Sequence, residues 1–217
     1  MSELYASALH LDRKAVKALK ITDIYSLHRV VYSLFADVRS EDEKQSHIPS
    51  GILFADQGGD FQGRKVLMVS DRKPAEQIDG QFGQVITKTI SPDFLEHKNY
   101  CFKVQINPVR KEKASGKRIA VKGRDKVAQW FAERAPKSWG FSVDLHTLQV
   151  EGIEVLQFID KTKRQVTIGR ATLQGRLTVT DAALFAQSFQ NGIGKGRAFG
   201  CGLLQIVPII DNPFAQF

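Results

Sequence analysis

His28 is the side chain in this sequence best suited to moving a proton at neutral pH, and it stands three residues after Tyr25 in the run DIYSLHRVVYSLF (23–35). Residues three apart in a helix lie about 60° apart around its axis, so a phenol and an imidazole would project side by side. A boundary histidine bonded to backbone or water would look the same. A second stretch, NGIGKGRAFGCGLL (191–204), sets Gly192, Gly194, Gly196, Gly200 and Gly202 around Lys195 and Arg197. Glycines permit positive φ and leave amide N–H groups uncovered, and with two cations beside them the natural guest is a phosphate. Close packing of a turn against a neighbouring sheet would use the same glycines. The loop has neither the GKS or GKT of a Walker loop nor the strand-loop-helix order of a dinucleotide fingerprint.

Charge points the same way. Lys and Arg number 31 against 23 Asp and Glu, a formal net charge of +8 with a pI near 9.5, which suits a nucleic acid or another polyanion. The run 109–122 carries basic residues against a single acid, Glu112, and supplies Lys113, Lys117, Arg118 and Lys122 as phosphate-tracking candidates. Lys161, Lys163 and Arg164 would form the tip of a β-hairpin, with Arg170 on one arm, and a two-stranded ribbon suits a nucleic-acid groove. Cys101 and Cys201 form no CxxC pair and the histidines at 10, 28, 47, 97 and 146 are scattered, so no metal or cofactor is expected. No apolar run is long enough for a membrane span and residues 1–20 carry charges where a signal peptide would be apolar, so a cytoplasmic protein is expected.

The elements that must position these residues follow from periodicity. Residues 3–11 alternate as a strand; Thr22 or Asp23 caps a helix to about Asp37, with Ile24, Leu27, Val31, Leu34 and Phe35 inward. Strands follow near 51–55, 65–70 and 85–90, with Gly58 and Gly59 as a turn and 74–78 as a weak candidate second helix. Ser91-Pro92-Asp93 marks a boundary between units 1–93 and 98–217. The second unit reads as strand 101–108, basic loop, helix 125–135 with Trp130 in the core, strand 138–145, hairpin 153–159 and 165–173, and strand 176–180. A helix capped by Asp181, the glycine loop and strand 203–208 complete it. The expected fold is α+β: two tandem ferredoxin-like (βαββαβ) domains with a basic β-hairpin and a C-terminal glycine-rich loop. Neither half shows the aromatic pattern of an RNA-recognition sheet, so loops and ribbon would do the binding.

Three runs in this order, DIYSLHRVVYSLF, FKVQINPVRKEKASGKRIAVKGRDKVAQWF (102–131) and NGIGKGRAFGCGLL, resemble the CasE-type endoribonucleases, which process CRISPR precursor RNA in the type I-E Cascade complex. The resemblance covers most of the chain and is weakest between about 40 and 98. It implies metal-independent cleavage at the 3′ base of a repeat stem-loop by 2′-hydroxyl attack, leaving a 2′,3′-cyclic phosphate and a 5′-hydroxyl. It places the catalytic histidine on His28 and the active-site tyrosine on Tyr25, with repeat stem-loop RNA and other Cascade subunits, chiefly the backbone subunit, as partners. Some relatives carry a lysine where this chain has Ser33. The charge stabiliser would then come from Lys195, Arg197 or the 110–122 loop. The alternatives are a non-catalytic RNA-binding subunit and an enzyme acting on a small nucleotide at the glycine loop.

Overall fold

The computed structural model describes residues 3–36, 50–112, 114–160 and 162–210. Strand β1 (Tyr5–Asp12) buries Ser7, Leu9 and Leu11 on alternate positions, and Asp12 ends it by capping a short helix, α1 (Arg13–Ala18), through Ala15 N at 2.7 Å. Helix α2 (Ile24–Ser33) follows. Strands β2 (Ile52–Gly59), β3 (Gly63–Ser70) and β4 (Gln84–Thr89) join β1 in an antiparallel sheet of order β2-β3-β1-β4. This is the ferredoxin-like order, but residues 71–83 form turns and one isolated bridge, Ile78 with Phe82, where a second helix was expected at 74–78. Gly58 and Gly59 lie in β2, and the turn falls at 60–62 instead.

The second unit is the more complete. A single 3-10 turn, Pro92–Leu95, leads into β5 (Asn99–Ile106). The basic run folds as a small ribbon, β6 (Val109–Lys111) with β7 (Arg118–Ala120). Helix α3 (Arg124–Trp139) is followed by β8 (Phe141–Val143), the long hairpin β9 (Gln149–Ile159) and β10 (Gln165–Val179), helix α4 (Ala182–Asn191) and β11 (Gln205–Pro208). The sheet order is β11-β5-β10-β8, with β9 paired to β10, again ferredoxin-like with two helices. Two expectations are corrected here. Helix α3 continues through Pro136 to Trp139, where Gly140 ends it in the left-handed region at φ 77°, and the strand that follows is short. Residues 165–173 and 176–180 are one strand, because Gly175 stays in register while its missing side chain lets Thr147 come close; a Cβ would sit 2.9 Å from the Thr147 carbonyl oxygen.

Strand β2 joins the two sheets. Ile52 and Phe54 point toward α2 and belong to the N-terminal core with Leu9, Leu27 and Val31. Leu53 and Ala55 point the other way, into a core of Tyr100, Phe131, Phe141 and Phe185. The exchange is reciprocal, since Phe158 and Ile168 of the long hairpin pack into the N-terminal core. Gln105 on β5 adds a polar tie, donating to the Asp56 carbonyl at 2.8 Å. Phe54, fully buried, contributes about 2–3 kcal/mol of transfer free energy at this seam. The hairpin is thereby fixed against the helix that carries Tyr25 and His28.

Candidate active site

Helix α2 is built to start at one place. Asp23 accepts from Ser26 N at 2.7 Å, while Ser26 Oγ accepts from Asp23 N at 2.9 Å, a reciprocal capping box. Ile24, Leu27, Val30 and Val31 face the core, and the adjoining stripe carries Tyr25, His28 and Tyr32. The Tyr25 and His28 rings stack at 6.1 Å between centroids, as their spacing predicts, and Tyr32 approaches His28 to 4.1 Å. The Tyr32 hydroxyl shares a hydrogen bond with Ser50 Oγ at 2.8 Å.

Two further rings complete the enclosure, both from the distant second unit and neither recognised from the sequence. Phe199, in a 3-10 turn (Arg197–Phe199) of the glycine loop, lies 5.8 Å from the His28 ring, and Phe158 of the hairpin stacks on Tyr25 at 6.0 Å. Phe158 and Phe199 meet each other at 4.7 Å. Helix and glycine loop thus converge on one imidazole, and the hairpin backs them through Phe158. The signal that could have found Phe199 is its place between glycines in a loop too tightly turned to hide an aromatic ring within itself.

Burial pushes the His28 pKa below the usual imidazole value of 6.5, and a hydrogen bond to the Ala198 backbone opposes this more weakly. Nδ1 is buried with no hydrogen-bond partner among the described residues. An unpaired buried acceptor costs about 1–3 kcal/mol. A neutral imidazole is equipped to accept a proton once movement of the ring or its walls uncovers Nδ1.

The glycine loop uses its positive-φ residues for close approach. All five glycines have φ between 73° and 87°; a Cβ on Gly192 would lie 2.7 Å from Leu53, on Gly194 3.1 Å from Ile106, and on Gly202 2.3 Å from the Ile193 carbonyl oxygen. Gly200 fits over Phe54 and Ile24, and Gly196 beside Cys201. Several of its amides are engaged internally, Ile193 N with Gly202 O at 2.9 Å and Gly202 N with Gln105 O at 2.7 Å. Arg197 braces the loop by donating to the Asn191 carbonyl at 2.7 Å, whereas Lys195 is exposed. Close packing therefore accounts for the glycines, and Lys195 is the cation the loop presents outward.

The remaining basic residues separate into groups. Lys117, Arg118 and Lys122 are exposed on or beside the β6–β7 ribbon, where Arg118 stands directly opposite Lys111, a like-charge pair that an anion would relieve. Lys163 and Arg164 are exposed at the hairpin tip, which Asp160 organises by accepting from Thr162 N at 2.8 Å and Arg164 N at 3.0 Å. Lys113 and Lys161 lie outside the described residues. Arg170 does not stand with the exposed group: it is 8% exposed, and its Nε donates to Glu154 Oε1 at 2.9 Å. It faces inward because even-numbered positions of β10 share the face of Ile168, which packs toward α2. Cys201 lies near this pair, and burial pushes its thiol up to about 12, so it is no nucleophile.

Against this geometry, the family model described as "CRISPR associated protein" matches residues 4–208. The chain belongs to the CRISPR-associated protein family. Within the family, the CRISPR-associated endoribonuclease Cse3 of Thermus thermophilus is 26% identical over 142 residues, 60% of this chain and 66% of that protein. The CRISPR system Cascade subunit CasE of Escherichia coli is 22% identical over 208 residues, 93% of this chain and 100% of that protein. The solved structure of Cse3 bound to a 19-nucleotide RNA superposes with a TM-score of 0.78 at 22% identity, covering 95% of this chain and all of the other. The Cas6e structure from Escherichia coli gives 0.61 at 21% identity over 94% of this chain and all of the other. These likenesses show a shared tandem ferredoxin-like fold. No helix among the described residues is long and apolar enough to cross a membrane.

Proposed function

We propose that this protein is an endoribonuclease that cleaves CRISPR precursor RNA at the base of the repeat stem-loop and works with other Cascade subunits, the backbone subunit first among them. The observation that carries the reading is His28: an imidazole whose pKa burial lowers, held beside Tyr25 and Tyr32 of its own helix and Phe199 of the glycine loop. Its relatives by sequence are an endoribonuclease and a Cascade subunit, which supports the substrate class. The two units, 1–93 and 98–217, would grip the RNA from both sides of the seam, in the cytoplasm where precursor RNA is made.

In the proposed reaction His28 takes the proton of the ribose 2′-hydroxyl as its oxygen attacks the adjacent phosphorus. The bond from phosphorus to the 5′-oxygen breaks, that oxygen takes a proton from water or from the protonated His28, and the products are a 2′,3′-cyclic phosphate and a 5′-hydroxyl. Tyr25, stacked beside the imidazole, positions it and the phosphate. Acid–base help of this kind supplies about 10²- to 10⁴-fold, and in-line alignment and cations at the phosphorane supply the rest. Ser33 carries no charge and donates to the Val30 carbonyl at 2.8 Å, and Arg197 is committed to Asn191, so Lys195 is the loop cation assigned to the transition state. No metal or cofactor is assigned a role. Lys117, Arg118, Lys122, Lys163 and Arg164 track phosphates of the stem.

The test is an RNA with a 2′-deoxy nucleotide at the cleavage position. It should bind as tightly as the ribose form and remain intact. Cleavage of the deoxy substrate at the ribose rate would rule out internal attack.

A further inference from the structure

The site described above leaves unused a basic groove beside α1. Arg13 and Lys17 of α1, Lys20 just after it and Arg64 of β3 line a cavity of about 540 Å³, with Val16 and Ile21 among its lining. That volume lies in the range of small-ligand sites, about 300–1,000 Å³. Arg13, Lys17 and Lys20 are exposed and make no ion pair among the described residues. The carboxylates nearby are already engaged. Asp12 accepts from Ala15 N, Asp60 accepts from Gln62 N at 2.7 Å and Gly63 N at 3.1 Å, and Asp56 holds Arg64 through both its oxygens. Asp60 also lines the cavity and keeps its charge, and Arg64 is paired, so it is Arg13, Lys17 and Lys20 that leave the groove net positive beside its apolar surface.

Lys20 supplies a second, independent observation. It follows the α1 C-cap, Leu19, with φ 51°, the left-handed slot that glycine or asparagine normally fills. The turn is closed around it by Lys20 N to Lys17 O and Ile21 N to Val16 O, both 3.1 Å. A lysine there carries backbone strain that no contact of its side chain in the free protein offsets. What the strained residue provides is an ammonium at the groove, separated from the start of α2 only by 21–23.

We propose that this groove binds single-stranded RNA leaving the base of the stem-loop, with backbone phosphates on Arg13, Lys17 and Lys20 and a base against Val16 and Ile21. The assignment rests on the endoribonuclease reading and extends it: hairpin and ribbon hold the duplex, while the α1 groove holds an unpaired strand beside the cut. Cationic side chains over an apolar floor suit a single strand, whose phosphates and base faces are both accessible.

The experiment measures binding of three uncleavable 2′-deoxy RNAs over a salt series: the bare stem-loop, and the stem-loop with an unpaired 5′ or 3′ extension. Wild type should bind one extended RNA more tightly than the bare stem-loop, and which extension gains identifies the strand. Arg13→Ala with Lys17→Ala should remove that gain, roughly tenfold, and lower the log–log salt slope by about 1.4, the value for two single-strand phosphate contacts. Lys20→Gly should lower the slope by about 0.7 while the melting temperature holds or rises. No gain from either extension, or equal weakening of bare and extended RNAs, would overturn the proposal, as would variants that lose binding only to anionic lipid vesicles. Cutting of an all-ribose stem-loop by wild type reports on the nuclease reading separately; uncut RNA with the extension gain intact would refute the nuclease and support the groove.

Discussion

Removing the Phe199 ring should change how His28 titrates, and the direction follows from the enclosure. The ring stands 5.8 Å from the imidazole and 4.7 Å from Phe158, so Phe199→Ala opens one wall to water without altering a charge. Burial is the larger cause of the lowered His28 pKa and the Ala198 hydrogen bond the smaller, so with that bond kept the substitution moves the pKa up toward 6.5. Phe→Ala in a full core costs about 3–5 kcal/mol; Phe199 is half-buried, which suggests roughly 2 kcal/mol and a fall in melting temperature of about 4–8 °C. There is a linked effect on stability. The folded pKa lies below the unfolded one, so the unfolded chain binds the proton more readily. The penalty grows as pH falls below 6.5 toward the folded pKa, and the variant should show less of it. The assay is an NMR titration of His28 in wild type and variant, with the acid limb of kcat/KM for stem-loop cleavage measured in parallel. Both midpoints should lie below 6.5 in wild type and rise in the variant. An unchanged or lower His28 midpoint would refute the argument that the aromatic box sets its proton affinity.

Other substitutions probe the supports of the site. Gly202→Ala must force a Cβ to within 2.3 Å of the Ile193 carbonyl oxygen at φ 87°, so backbone has to shift; a loss of about 2–4 kcal/mol is expected in urea melts, with cleavage impaired because Phe199 moves with the loop. Lys20→Gly should stabilise the free protein by up to about 1 kcal/mol, since it relieves a left-handed lysine that has no side-chain partner, and a clear loss of stability would show that the residue is structural.

Local rules made much of this molecule readable and tertiary ones did not. The Tyr25–His28 pair follows from three-residue helical spacing, and its capping residue follows from an aspartate ahead of an apolar stripe. Periodicity also places the hairpin and α4, because each repeats over enough residues to stand out. Helix α1 escaped notice because RKAVKA is too short and too charged to show a period, and its start depends on a single Asp12 cap. Helix α3 outran its expected end because Pro136 removes only one intrahelical bond, its own to the Ala132 carbonyl, and the buried Trp139 holds the last turn against the core. Phe199 reaches His28, and Phe158 reaches Tyr25, only because β2, shared between two cores, locks the second unit onto the first. No spacing rule spans that distance. Arg170 was assigned to the surface by its charge alone, whereas its strand parity turns it inward to Glu154.

The measurement that tests the central claim most directly is single-turnover cleavage of a labelled repeat stem-loop in EDTA by wild type and His28→Ala, with binding followed separately. The account predicts cleavage by wild type to a 2′,3′-cyclic phosphate, and binding without comparable cleavage by the variant, slowed by about 10²- to 10⁴-fold. Binding by both with cleavage by neither, or equal cleavage by both, would contradict it.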